Sequence, residues 1–231
     1  MVNDRFVYNT LSEFQEANRN PISGYEDLRV LTLENALETI IPLVPEVTNY
    51  LSTAKNECNR DSDLLTWDES AAIYLYSMPI SFFSRLNEAL RGGNRHALKP
   101  WFAFLKLFVN ALSKLPSMKQ TVWRGVSGNV GSIFADGKER IWWSVNSCSK
   151  SLGVVEQHLG DTGTVFAIDM IHGKDISAFS TFPEEQEIVL LPGVRVRPKC
   201  PSLSFDNRFF LIHLEENLQR LVYVRKSPGM Q

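Results

Sequence analysis

Glu185 and Glu187, separated by Gln186 in the run Phe182-Pro-Glu-Glu-Gln-Glu-Ile-Val-Leu-Leu-Pro-Gly193, are the residues best suited to chemistry in this chain. Strand side chains alternate faces, so two carboxylates two residues apart would point the same way on a strand. Ile188-Val189-Leu190-Leu191 is a short apolar run closed by Pro192-Gly193, which predicts a strand over 185–191 emerging from a loop. Like charges side by side cost stability unless a cation lies near. The pair therefore asks for a positive partner, either a side chain or a substrate. The bland alternative is a solvated Glu-x-Glu on a surface strand.

Two upstream segments bear on that choice. Thr121-Val-Trp-Arg-Gly-Val126 is a β-branched and aromatic run with Arg124-Gly125 at its centre. An arginine beside a glycine can offer a planar fork of donors where backbone also comes close, which suits phosphate. Its ordinary role would be a strand-end salt bridge. Ile141-Trp-Trp-Ser-Val-Asn-Ser-Cys-Ser-Lys150 begins apolar and becomes rich in small hydroxyls. Ser147 and Ser149 alternate onto one strand face, where they could orient a carboxylate or a sugar, or form an ordinary half-exposed strand.

Trp-Arg-Gly, then Ser-Cys-Ser, then Glu-Gln-Glu resembles the Arg-Ser-Glu signature of the arginine-specific mono-ADP-ribosyltransferases of the cholera-toxin-like class. Arg124 precedes Ser147 by 23 residues, and Ser147 precedes Glu187 by 40. The resemblance is densest over 121–193 and extends weakly upstream through 98–106. Cys148 stands where the family usually has threonine. It should point away from Ser147 and Ser149, which leaves the chemistry intact.

The resemblance implies NAD as co-substrate and displacement of nicotinamide from the ribose. Glu187 would stabilise the oxocarbenium character that develops on the sugar, and Ser147 would orient Glu187. Arg124 would engage the pyrophosphate or adenosine ribose, Gly125 would meet the nicotinamide amide through its backbone, and Ser149 would touch nucleotide or cap the strand. Glu185 would pair with an acceptor guanidinium and take its proton, since an arginine is otherwise hard to deprotonate. Phe182 matches an aromatic on the family's substrate-recognition turn, with loop packing as its alternative role. The implied partner is an acceptor protein with an exposed arginine. Two rivals share most of these residues: an NAD glycohydrolase, in which water replaces the acceptor, and a catalytically silent NAD-binding module.

The elements that must position these residues divide the chain. Residues 1–115 read as a helical subdomain and 116–231 as a mainly strand NAD-binding core, together one compact catalytic domain of α+β class. The resemblance implies that this core is a mixed, mainly antiparallel two-sheet structure. Helices are expected over 33–41, 46–58, 68–78, 84–91 and 100–114. The third is opened by the capping-box pattern Thr66-Trp-Asp-Glu69, and the fourth is stopped by Gly92-Gly93. Trp101, Phe104, Leu105, Phe108, Leu112 and Leu115 form an apolar stripe read as core. Strands are expected over 121–126, 141–149, 164–170, 185–191, 194–197 and 209–215. Gly125-x-x-Gly128-x-x-Gly131 lacks the strand–loop–helix setting of a dinucleotide fingerprint and reads as turns. The tail 226–231 reads as loose.

At 231 residues the chain can bury about 70% of its unfolded surface. Its 44% apolar and 22% charged residues mark a globular rather than a disordered chain. A net charge of −2 argues against nucleic acid as partner, and no apolar stretch is long enough to span a bilayer. The start lacks a secretory pattern, three cysteines cannot all pair, and no Asn-x-Ser/Thr site occurs. Reduced thiols and an intracellular setting are the simpler expectation. The four histidines are scattered and no metal is expected.

Overall fold

A computed structural model of the protein describes residues 6–8, 22–92, 94–205 and 208–217. The expected tail at 226–231 lies outside them. Among the described residues of the first half the α-helices are α1 (Leu33–Leu37), α2 (Val47–Glu57), α3 (Trp67–Ser77), α4 (Phe82–Arg91) and α5 (Phe102–Lys114). α3 begins as its sequence predicts. The Thr66 side chain accepts from the Glu69 N–H while Glu69 returns a bond to the Thr66 N–H, satisfying two otherwise orphaned donors. Pro100 does not open α5; it lies in a 3-10 turn over Arg95–Trp101 that precedes it.

The strands among the described residues are, in chain order, β1 (Val7–Tyr8), β2 (Ser117–Ser127), β3 (Arg140–Trp142), β4 (Asn146–Ser149), β5 (Gly163–Asp175), β6 (Glu187–Leu190), β7 (Val194–Pro198), β8 (Leu203–Phe205) and β9 (Phe209–Glu216). Two short helices interrupt them, α6 (Gly131–Phe134) and α7 (Leu152–Leu159), neither of which was expected. The expected strand over 141–149 is broken at 143–145, and the one over 185–191 begins only at Glu187.

The class is α+β, as expected, with a helical first half on a mainly antiparallel sheet. Hydrogen bonds link the strands in the order β1-β2-β4-β6-β5-β9-β7-β3, with β8 on β9 and a further β2–β5 pairing. Only β1–β2 and β5–β9 are parallel among the described residues. The two layers are joined rather than separate, because β5 is long enough to serve both. It pairs with β2 along most of its length, and its last residues, Lys174 and Asp175, also pair with Val189 and Ile188 of β6.

Between the layers lies a core containing Val122, Cys148, Phe166, Ile168, Ile188, Leu190, Ile212 and Leu214. The helical half builds a second core around Tyr76, Phe82, Phe104, Phe108 and Leu112. That core also takes Trp143, Val145, Ile176, Phe179 and Val189 from the strand half, so helices and sheet bury one another. All six members of the expected α5 stripe are buried in it. No helix among the described residues is long and apolar enough to cross a membrane.

Candidate active site

Strand order brings the distant motifs together. Arg124 is on β2, Ser147 and Ser149 are on β4, and Glu187 opens β6, and these three strands are consecutive neighbours. In the β4–β6 ladder Ser149 stands opposite Glu187 and Ser147 opposite Val189. Paired residues share a face, so both serines and Glu187 look toward the helical half, where Val189 is packed. Cys148 and Ile188 alternate to the other face and fill the core between the layers. Burial pushes the Cys148 thiol up to about 12, Arg124 opposes the rise and Glu187 adds to it. Both charged groups therefore act on this one buried residue, and the thiol is inert.

Arg124, Ser147, Ser149 and Glu187 are all buried. Arg124 donates from Nη1 to the Ser147 carbonyl at 2.7 Å, which ties β2 to β4 through the guanidinium. Gly125 carries no side chain at the adjacent position, and its N–H is taken by the Phe6 carbonyl of the β1 segment at 2.8 Å. Of the Gly125-x-x-Gly128-x-x-Gly131 spacing only Gly128 turns the chain, at φ 80; Gly125 lies within β2 and Gly131 opens α6, so the strand–loop–helix order expected to be lacking is present, on a helix of only four residues.

The carboxylate pair differs from its expected geometry. Glu185 does not share a strand with Glu187. Pro183–Glu185 is a single 3-10 turn, and Gln186 adopts the left-handed conformation at φ 50, rare for a residue with a Cβ. That residue breaks strand alternation, so the relation of Glu185 to Glu187 is set by the turn. The turn is anchored: Ser149 Oγ donates to the Glu185 carbonyl at 2.7 Å and accepts from the Ser151 N–H at 3.0 Å. Glu185 and Phe182 are half-buried on this turn.

Three functional candidates escaped the reading of the sequence. Tyr76 of α3 places its hydroxyl 2.9 Å from Ser147 Oγ. Asn87 of α4 brackets the Val145 backbone, donating to its carbonyl at 3.0 Å and accepting from its N–H at 2.9 Å. Arg91, one turn later, donates to Ser144 Oγ at 3.0 Å. Burial first, then the like charge of Arg124, lowers the Arg91 guanidinium to about 10. A signal existed in the sequence: Asn87 and Arg91 are polar residues spaced i,i+4 beside the buried Leu86 and Leu90. Among the described residues, no three His, Cys, Asp or Glu side chains cluster as a metal site would require.

Several solved structures share this fold. The ADP-ribosyltransferase Vis from Vibrio splendidus, crystallised with agmatine, aligns at 17% identity and TM-score 0.58 over 86% of this chain and 92% of its own. The eucaryotic mono-ADP-ribosyltransferase ART2.2 aligns at 17% identity and TM-score 0.62 over 94% and 99%. Exoenzyme S from Pseudomonas aeruginosa, bound to Carba-NAD in a complex with human 14-3-3 protein beta, aligns at 19% identity and TM-score 0.57 over 86% and 99%. A search of curated protein sequences gives no match. The sequence model of the NAD:arginine ADP-ribosyltransferase family matches residues 48–217, and the chain belongs to that family. Its reaction class is NAD-dependent transfer of ADP-ribose, with NAD as substrate.

Proposed function

We propose that this protein transfers ADP-ribose from NAD to arginine side chains of acceptor proteins and releases nicotinamide. The observation that carries the reading is the run of adjacent strands β2, β4 and β6, which sets both serines and Glu187 on one face, ties Arg124 to the Ser147 carbonyl, and leaves Glu185 on the turn just ahead. As the C–N bond to nicotinamide lengthens, positive charge grows on the ribose, and a carboxylate in a water-poor site stabilises it. Glu187, wholly buried, takes that role, with Ser147 and Tyr76 fixing the face it shares. Arg124 and Arg91 supply neighbouring positive charge for the pyrophosphate, and the repulsion from Arg124 that helps to lower the Arg91 guanidinium would ease once that dianion binds beside them. Reading of the nicotinamide amide by Gly125 would exchange its strand bond to Phe6 for one to the ligand.

Arginine as acceptor rests on Glu185. A guanidinium attacks through nitrogen only if its proton leaves as the new C–N bond forms, and a carboxylate beside it both pairs with the cation and accepts that proton. Agmatine, the compound held by Vis, is itself a guanidine, which supports the same acceptor chemistry here. Phe182 would contact the acceptor from the same turn. The shared core supports reading 1–115 and 116–231 as one catalytic unit.

Agmatine and NAD as substrates test the assignment. Glu185→Gln is expected to reduce transfer to agmatine by about 100-fold or more, while cleavage of NAD by water falls far less. Equal loss of both activities would remove Glu185 from acceptor activation. Wild-type protein that cleaves NAD without labelling agmatine or any arginine would make it a glycohydrolase. Binding of NAD with neither reaction would make it a silent module.

A further inference from the structure

The turn bearing Phe182 and Glu185 belongs to an excursion from the sheet that leaves β5 and returns at β6. Its base is closed where the Ile176 N–H donates to the Glu187 carbonyl at 3.0 Å. Its near end is also braced, since Asp175 Oδ1 accepts from both the N–H and hydroxyl of Ser177, at 2.9 and 2.6 Å, while Lys150 holds the other oxygen. These contacts keep Glu187 in register whatever the crown of the loop does.

The crown is held by α3. Ser77, the last residue of that helix and wholly buried, accepts from the Thr181 N–H at 2.7 Å. Its hydroxyl lies 3.0 Å from the Thr181 hydroxyl and 2.9 Å from the Tyr74 carbonyl, and the Thr181 hydroxyl is 3.3 Å from that same carbonyl. With one proton per hydroxyl, a consistent arrangement has Ser77 donating to Tyr74 and accepting twice from Thr181. Earlier in the loop, Asn59 donates to the Ala178 carbonyl at 3.2 Å. Thr181 immediately precedes Phe182, and Tyr76, immediately before Ser77, meets Ser147. Adjacent residues of one helix thus hold Ser147 of β4 and the turn read as receiving the acceptor.

We propose that Ser77, acting through Thr181, is a positioning residue for the acceptor. It sets the height of the Phe182–Glu185 turn above Glu187, and so the partition of the ribosyl cation between a guanidine and water. This rests on the reading of Glu185 as the group that receives the acceptor. Loosening the crown moves Glu185 but not Glu187, whose own strand pairing is independent of Ser77. Acceptor attack, which depends on alignment, should suffer, and bond cleavage to nicotinamide should not.

The test compares agmatine transfer with NAD hydrolysis in Ser77→Ala, Ser77→Thr and Thr181→Val, all in the full chain. In Ser77→Ala, kcat/KM for agmatine is expected to fall about tenfold, with the KM for NAD and the hydrolysis rate changing less than about twofold. Ser77→Thr, which keeps the hydroxyl, should restore the ratio of the two activities. Thr181→Val keeps the backbone bond to Ser77 and should shift the ratio in the same direction by less. The ratio is internal to the folded molecules, so partial unfolding lowers both activities without moving it. If Ser77→Ala yields no soluble protein, Thr181→Val decides alone. An unchanged ratio, or parallel loss of both activities, overturns the proposal. Glu185→Gln in the same assay separates this from the underlying reading: full transfer in that variant removes the reading itself, whereas lost transfer beside an unmoved Ser77→Ala ratio removes only the role of Ser77.

Discussion

Glu187 is the first residue of β6, and its neighbours on either side obey different rules. After it, alternation holds, and Ile188 fills the core while Val189 meets the helices. Before it, the left-handed Gln186 swings the chain out of the strand, so Glu185 is free of the alternation that its spacing suggested. This division suits the separate roles proposed for the two carboxylates. Removing the first should stop everything. Glu187→Ala is expected to lower nicotinamide release by about 10³-fold or more, because the transition-state charge loses its counter-ion. Circular dichroism should show a retained fold. Nicotinamide release near the wild-type rate would move the catalytic carboxylate elsewhere. At the same scale, the spacing of Arg124, Ser147 and Glu187 was legible because each lies in a recognisable local motif. Tyr76, Asn87 and Arg91 were not, because their partners Ser147, Val145 and Ser144 lie 71, 58 and 53 residues away.

Among the elements, β5 matters most to the site because it closes the two layers on each other. At its end it lies against Met118 and Ser117 of β2 on one side and against β6 on the other, next to a register shift between Met118 and Gln120. Gly173 sits at this crossing. A Cβ there would stand 2.2 Å from the Met170 thioether and 2.9 Å from Ile188 Cγ2, both in buried residues. Gly173→Ala is therefore expected to cost about 1–3 kcal/mol through overpacking, read as a lower midpoint in urea unfolding. A stability equal to wild type would mean that Met170 repacks freely. The elements themselves were largely predictable, as the apolar stripe of α5 and the capping box of α3 show. The failures came where side-chain pattern and tertiary demand diverged. α7 falls between two expected strands in a segment for which no element is expected, and the strand expected over 141–149 breaks because Val145 is drawn to Asn87 of α4.

Over the whole molecule, the helical half and the strands bury a shared core, and the outer face of the β2–β5–β9 sheet carries a charged network. Asp169 is its centre, bonded to Thr121 at 2.6 Å, Lys199 at 2.7 Å and His213 at 3.0 Å. Partial burial would raise its carboxyl, but these hydrogen bonds outweigh burial and bring it down to about 2. A folded value below the unfolded one stabilises the protein above the unfolded pKa of roughly 3.9, and that contribution is lost as pH falls toward about 2. Screening at a partly exposed site limits it, so Asp169→Asn should lose about 0.5–1 kcal/mol at pH 7. The gap from wild type should close between about pH 4 and pH 2, followed by thermal melts. A gap independent of pH would assign the effect to packing instead of charge.

Residue order alone determined the capped start of α3, the apolar stripe of α5 and the α+β division, and it carried the Arg-Ser-Glu spacing, because capping, periodicity and motifs are local patterns along the chain. Tertiary structure decided which strands adjoin, where Gln186 turns the chain, and how α3 grips both Ser147 and Thr181. Contacts of that kind join residues as much as 107 positions apart, and they exist only once two cores have packed and fixed the register between them.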